Sequence, residues 1–223
     1  EILSVSGMPT VKMGKTNQMP LNRSGDNLRI EWGYLYLTAP KGEVREFVCE
    51  QDKMGYIMGT VPVSPVGDSL ILLAYDDCRA SIQDFGETLA SVWNRNGETI
   101  ETAIENAYTE YGPLMDKCAA FSDKLYCDAV KAGGVQYAEM LSLAYRQAIS
   151  AHKCVVDTEG QVLFISKECF SNGCAATVDV SYPSIPLFLI YAPELVKGMA
   201  RPIFKYAESE AWPFDFAPHD AGQ

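Results

Sequence analysis

Histidine is scarce in this sequence, and the common catalytic signatures are missing. The 223 residues contain two histidines, His152 and His219, and no GxGxxG, P-loop, GxSxG or HExxH pattern. Nucleotide cradling and the usual serine and zinc hydrolase mechanisms therefore lose their sequence support. Seven cysteines are present without a CxxC pair, and an odd number cannot close completely into intrachain disulfides. The histidines and scattered acids also lack the helical spacing of metal ligands. No metal or cofactor is implied. There is no run of about 18 apolar residues, the length a membrane-spanning helix needs. No Lys/Arg cluster stands out among 18 basic and 29 acidic residues, and a net charge of −11 disfavours a nucleic-acid partner. Almost all the acid excess lies after residue 75: residues 1–75 carry a net −1 and residues 76–223 a net −10.

What is present is a globular composition. Hydrophobic residues make up 48% and charged residues 21%, which excludes a disordered or low-complexity chain. Most of the cysteines read as small buried hydrophobes. Beginning at Glu1 and ending at Gln223 without a closing element, the chain is expected to be a piece of a longer protein.

Periodicity divides the sequence. From Leu28 to Leu37 large apolar residues alternate with others, as in a half-buried strand. Residues 56–63 and the run after Asp68, residues 69–75, are further strands. Short strands between Gly/Pro turns suggest part of a β-sandwich. Residues 76–97 read as a junction. A helix is expected from near Glu98 to Lys131, with Ile104, Ala107, Tyr108, Tyr111, Leu114, Met115 and Cys118 on one face and a kink or division at Pro113. Gly133-Gly134 ends it. The next helix puts Leu141, Tyr145, Ala148 and His152 on a common face. Residues 162–166 form a short strand, residues 167–178 a polar loop, and residues 187–191 and 193–207 two more helices. The tail, 211–223, is an aromatic loop. Strands first and helices after argue for separate β and α parts rather than an alternating sheet.

Three carboxylates lie in loops among aromatic, small or proline residues: Glu168, Asp179 and Asp220. Such surroundings can raise a carboxyl pKa and make it a general acid, with a second carboxylate as base or nucleophile. The plainer readings are a helix cap for Asp179 and a turn for Asp220. His152 reads as a core histidine and His219, in a loop, as a ligand contact. Trp212, Phe214, Phe216, Tyr182 and Trp93 are candidate stacking surfaces or simply packing residues. Trp212 stands out because it shares a loop with His219 and Asp220.

Several ordered motifs carry a resemblance. Tyr75-Asp76-Asp77, Tyr145-Arg146-Gln147-Ala148, Ala151-His152-Lys153, Ser166-Lys167-Glu168, Ser171-Asn172-Gly173, Thr177-Val178-Asp179-Val180, Tyr182-Pro183-Ser184 and Ala217-Pro218-His219-Asp220 resemble the bacterial and fungal glutaminase A family. The resemblance implies an N-terminal β-sandwich followed by an (α/α)6 toroid of six helical hairpins. Residues 1–75 would be the end of the sandwich, 76–97 the junction and 98–223 the first part of the toroid. Cys169 and Cys174 depart from the expected motif loop. The resemblance implies a hydrolase of glutamine or a related amide. The carboxylates suggest instead a glycoside hydrolase, and a non-catalytic carbohydrate-binding or assembly module is a third reading. Asp179, Asp220 and Glu168 are the expected catalytic residues. His219, Trp212, Tyr182, Lys167 and Arg146 are the expected binders of a small-molecule or glycan substrate. The remainder of the parent chain is an expected partner, without which the piece should be inert. A homo-oligomer through exposed helical faces is another. The family implies a periplasmic or extracellular location.

Overall fold

The computed structural model describes residues 1–20, 32–51, 54–63, 67, 69–78, 82–166 and 173–222. Residues 28–31 of the first expected strand, Asp68, Lys167, Glu168, Cys169, Ser171 and Asn172 lie outside the described residues. The chain forms two compact units.

The first unit is built on an antiparallel sheet. Strands β1 (Ile2–Val5) and β2 (Met8–Gly14) form a hairpin, which the sequence pattern did not reveal. Its loop, Ser6-Gly7, has φ of 47° and 83°, the left-handed geometry of a two-residue hairpin turn. Strand β3 (Tyr34–Thr38) pairs with β2, in agreement with the alternation from Leu28 onward. Beside β3, β4 (Glu43–Val48) and β5 (Gly55–Thr60) make a separate hairpin, and β6 (Leu72–Asp76) completes the sheet in the order β1-β2-β3-β6. The β4–β5 hairpin packs on β2 and β3. The end of the Leu37 side chain packs directly over Gly59, so a side chain there would require Leu37 to shift. Across the sheet Thr10 and Thr38, both buried, share a hydroxyl hydrogen bond of 2.9 Å. The unit also holds helix α1 (Ile100–Thr109), which buries Ile100 and Ile104 and packs on β6 and β1. Thr99 caps it: its hydroxyl accepts the Thr102 N–H.

The second unit opens with a hairpin where the sequence suggests only a junction. It pairs β7 (Ile82–Asp84) with β8 (Glu87–Leu89) around Phe85-Gly86. Helix α2 (Tyr111–Gly133) follows after a break at Glu110. Pro113 therefore falls in the first turn of α2, where its missing N–H costs nothing, rather than inside a longer helix. Gly134, at φ 84°, separates α2 from α3 (Val135–Ser150). The expected face through His152 needs correcting. Helix α3 stops at Ser150, and His152 opens β9 (His152–Val156), which pairs with β10 (Val162–Ser166). Helical spacing ran on past the helix because Ala148 and His152 still touch: His152 Nδ1 lies 2.6 Å from the Ala148 carbonyl. Helices α4 (Val178–Ser181), α5 (Ile185–Tyr191) and α6 (Pro193–Ala207) complete the unit.

Strand β10 is buried on both faces, which explains its unbroken apolar run. Leu163 and Ile165 join Leu89, Val155, Ala176 and Ile203 in one cluster. Phe164 points the other way, to Phe188 and Met199, with Tyr145, Ala148 and Cys154 against them. Helix α6 crosses β10 through Gly198, Met199, Pro202 and Ile203. The six described cysteines are free thiols, and none is fully buried. The reading of most of them as core residues is thus corrected. Cys118 and Cys127 lie exposed on α2, a long helix that buries only Leu125 and Ala129.

Candidate functional site

Two segments far apart in sequence zip together in the second unit. The Ala175 N–H donates to the Gly222 carbonyl, the Ala221 N–H to the Ala175 carbonyl, and the Val178 N–H to the His219 carbonyl, at 2.8–2.9 Å. Ala176 between them sits at φ 53°, a conformation that a non-glycine residue keeps only when its surroundings hold it there. Its N–H donates to the Ser166 carbonyl, tying the zipper to the end of β10. Thr177 begins α4 with its hydroxyl buried and without a hydrogen-bond partner among the described residues.

This zipper brings Asp179, His219 and Asp220 together. His219 Nδ1 lies 2.9 Å from Asp220 Oδ2, and its Nε2 lies 3.4 Å from Asp179 Oδ1. One imidazole thus spans both carboxylates, which bounds their separation far below the distance that would forbid a joint role. Asp220 is 23% exposed, whereas His219 and Asp179 are 61% and 74% exposed. Burial alone would raise the Asp220 carboxyl. Hydrogen bonds from His219, the Gly222 N–H and the Cys174 thiol outweigh it and hold the group below the usual carboxylate range. The raised pKa allowed for by the sequence is therefore corrected for Asp220, which stays ionised. The sequence missed Cys174 as its partner, since the two are joined only by the zipper.

The other expected residues fall elsewhere or outside the description. Glu168 and Lys167 lie outside the described residues. Tyr182 is exposed just after α4. Trp212 donates its indole N–H to the Phe216 carbonyl at 2.6 Å and packs on Tyr206, Phe214 and Phe216, so it braces its own loop. Arg146 is exposed on α3, and its guanidinium makes no hydrogen bond or ion pair among the described residues. His152, expected in the core, is only half-buried: its ring stacks on Phe164 at 4.3 Å, and burial pushes its pKa down. Among the described residues no group of three or more potential ligands could hold a metal ion.

Beside the zipper lies a cleft of about 310 Å³ lined by Asp84, Phe85, Ile165, Pro202 and Tyr206, with Ala175 and Ala221 of the zipper in its wall. Asp84 forms an ion pair of 2.6 Å with Lys205, 121 residues away. Sequence reasoning missed this pair, and nothing in the local pattern marks it. The hairpin that presents it had a signal: Asp84-Phe85-Gly86-Glu87 places glycine second in a two-residue turn.

Comparison with known proteins adds identity to this geometry. Residues 134–223, which include Asp179, His219 and Asp220, match the family described as the glutaminase A six helical-hairpin domain. The chain is 32% identical to a protein named Glutaminase A from Aspergillus oryzae over 134 residues, 60% of this chain and 19% of that protein. It is 31% identical to a protein named Probable glutaminase from Arthroderma benhamiae over 131 residues, 59% of this chain and 15% of that protein. The matches thus span less than a fifth of these relatives. No solved structure matches. Residues 134–223 thus resemble the six helical-hairpin domain of glutaminase A proteins, and the chain also holds small antiparallel sheets.

Proposed function

We propose that this chain carries part of the reactive centre of a glutaminase-type hydrolase, in which His219 and Asp220 activate water against the side-chain amide of glutamine or a related carboxamide. The observation behind this reading is the imidazole of His219 held between an ionised Asp220 and Asp179. Asp220 accepts from Nδ1–H and leaves Nε2 as the base. Nε2 takes a proton from water as the oxygen attacks the amide carbon. The same proton then passes to the departing nitrogen, so that ammonia leaves and a carboxylate forms. Asp179 stabilises the imidazolium between those events. On the same reading the helices belong to a six-hairpin toroid and the first unit to a β-sandwich.

The glycosidase reading has less support. The carboxylates are near enough for it, but the imidazole fills the space between them, and the group held ionised cannot be the general acid. The test uses the full-length protein. Asp220→Asn should lower kcat on glutamine by about 10²-fold or more with little change in KM. Unchanged kcat, or turnover of glycosides without turnover of glutamine, overturns the reading.

A further inference from the structure

We propose that the cleft between the β7–β8 hairpin and α6 is a binding site for a neutral, polyhydroxylated ring of monosaccharide size. Nothing in the amide chemistry uses this cleft, and the proposal stands without it. Its volume, about 310 Å³, is at the small end of ligand pockets and suits one sugar ring. One edge is polar. Asp84 has a side chain only 8% exposed, and it gives Oδ2 to Lys205. Its Oδ1 has no partner among the described residues. Lys205 is 47% exposed and has donors to spare. A vicinal diol meets both needs at once: one hydroxyl donates to the free carboxylate oxygen and the other accepts from the ammonium. The ion pair stays intact, so neither charge is left uncompensated.

Gln83 adds an amide to the lining, and Ile82, Ile165 and Pro202 supply an apolar surface. At the rim stands Phe85, half exposed, its ring tilted on Tyr206 and held by Lys205 Nζ 4.8 Å from the centroid. The C–H face of a sugar ring stacks on such a surface, whereas an ionic ligand gains nothing from it. Phe85 is also the wrong residue for its backbone. It occupies φ 47° at the first position of a two-residue turn, where asparagine or glycine is at home. A bulky residue kept in a strained conformation at a cleft mouth points to a use for its ring.

The substitution that tests this is Phe85→Asn, which suits the turn and deletes the ring. Saturation-transfer NMR on the chain, with glucose, galactose, mannose and inositol as probes and glutamine as the zwitterionic comparator, should show at least one neutral probe binding with Kd of about 1 mM. Phe85→Asn should weaken it tenfold or more without lowering Tm. Amide shifts on titration of the unaltered chain should cluster at residues 82–85, 175–176 and 205–206, a readout that does not depend on any variant folding. Three results overturn the proposal: no neutral probe binding up to about 50 mM, shifts that cluster elsewhere, or glutamine in the cleft in place of the sugars.

Discussion

The contact between α6 and β10 predicts that one substitution will have opposite effects at two glycines. A Cβ built on Gly198 lies 3.0 Å from the Phe164 N, 3.1 Å from the Val162 carbonyl oxygen and 3.2 Å from the Phe164 Cβ. The first two are backbone atoms of a strand that cannot retreat. β10 is paired along its length to β9, and Phe164 is stacked on His152 behind it. Arg201, one turn further along α6, also donates to the Val162 carbonyl and fixes the spacing. The helix would have to lift by a few tenths of an ångström along its interface with β10. Overpacking of this kind costs about 1–3 kcal/mol. Alanine recovers at most about 1 kcal/mol of helix propensity, and less here because Pro202 already denies the Gly198 carbonyl its helical donor. Gly198→Ala should therefore destabilise by about 1–2 kcal/mol. At Gly55, the first residue of β5, a Cβ would meet nothing within 4 Å and the backbone is not in the left-handed region. There the same change should stabilise by about 0.4–1 kcal/mol. Urea denaturation followed by circular dichroism would give both midpoints. If Gly198→Ala stabilises the chain as Gly55→Ala does, the strand is not the rigid wall described.

Two further outcomes follow from titration and exposure. His152 is half-buried with its Nε2 buried and unpartnered among the described residues, and burial places its folded pKa below the unfolded value, so the unfolded state binds more protons in acid. Stability should be whole above about pH 6.5 and fall as pH drops below it. His152→Phe should flatten that slope in urea midpoints taken from pH 5 to 8, and an unchanged slope refutes the assignment. Cys118 and Cys127 are exposed, whereas burial raises the Cys154 thiol, so iodoacetamide followed by mass spectrometry should label the first two well ahead of the third. Equal rates would contradict the burial described.

What could be read from the sequence was what is encoded locally. The strand at 162–166 and the helix at 193–207 agree with the structure to the residue, because each carries its signal within one element: an unbroken apolar run in one, a proline start and amphipathic period in the other. The division at Glu110 was legible through Pro113, although its position was off by one turn. The β1–β2 and β7–β8 hairpins went unread because their turns break the usual preference, with Ser6 and Phe85 in left-handed positions. His152 was misplaced by continuing a helical period across a boundary that carries no capping residue.

The candidate site shows the same limit from the other side. Asp179, His219 and Asp220 each drew attention through local company, yet what makes them a unit is three backbone hydrogen bonds between segments more than 40 residues apart. Those bonds use N–H and C=O groups that every residue has, so they leave no trace in residue type. The chemistry changes with them. A carboxylate between Pro218 and Gly222 reads as one that burial would neutralise. Once the zipper closes, His219, Gly222 and Cys174 all donate to it and it stays charged. In the function proposed, its role shifts accordingly from an acid that gives up a proton to an anchor that orients a base. That reversal is the ground on which water activation by His219 is proposed in place of paired-carboxylate chemistry.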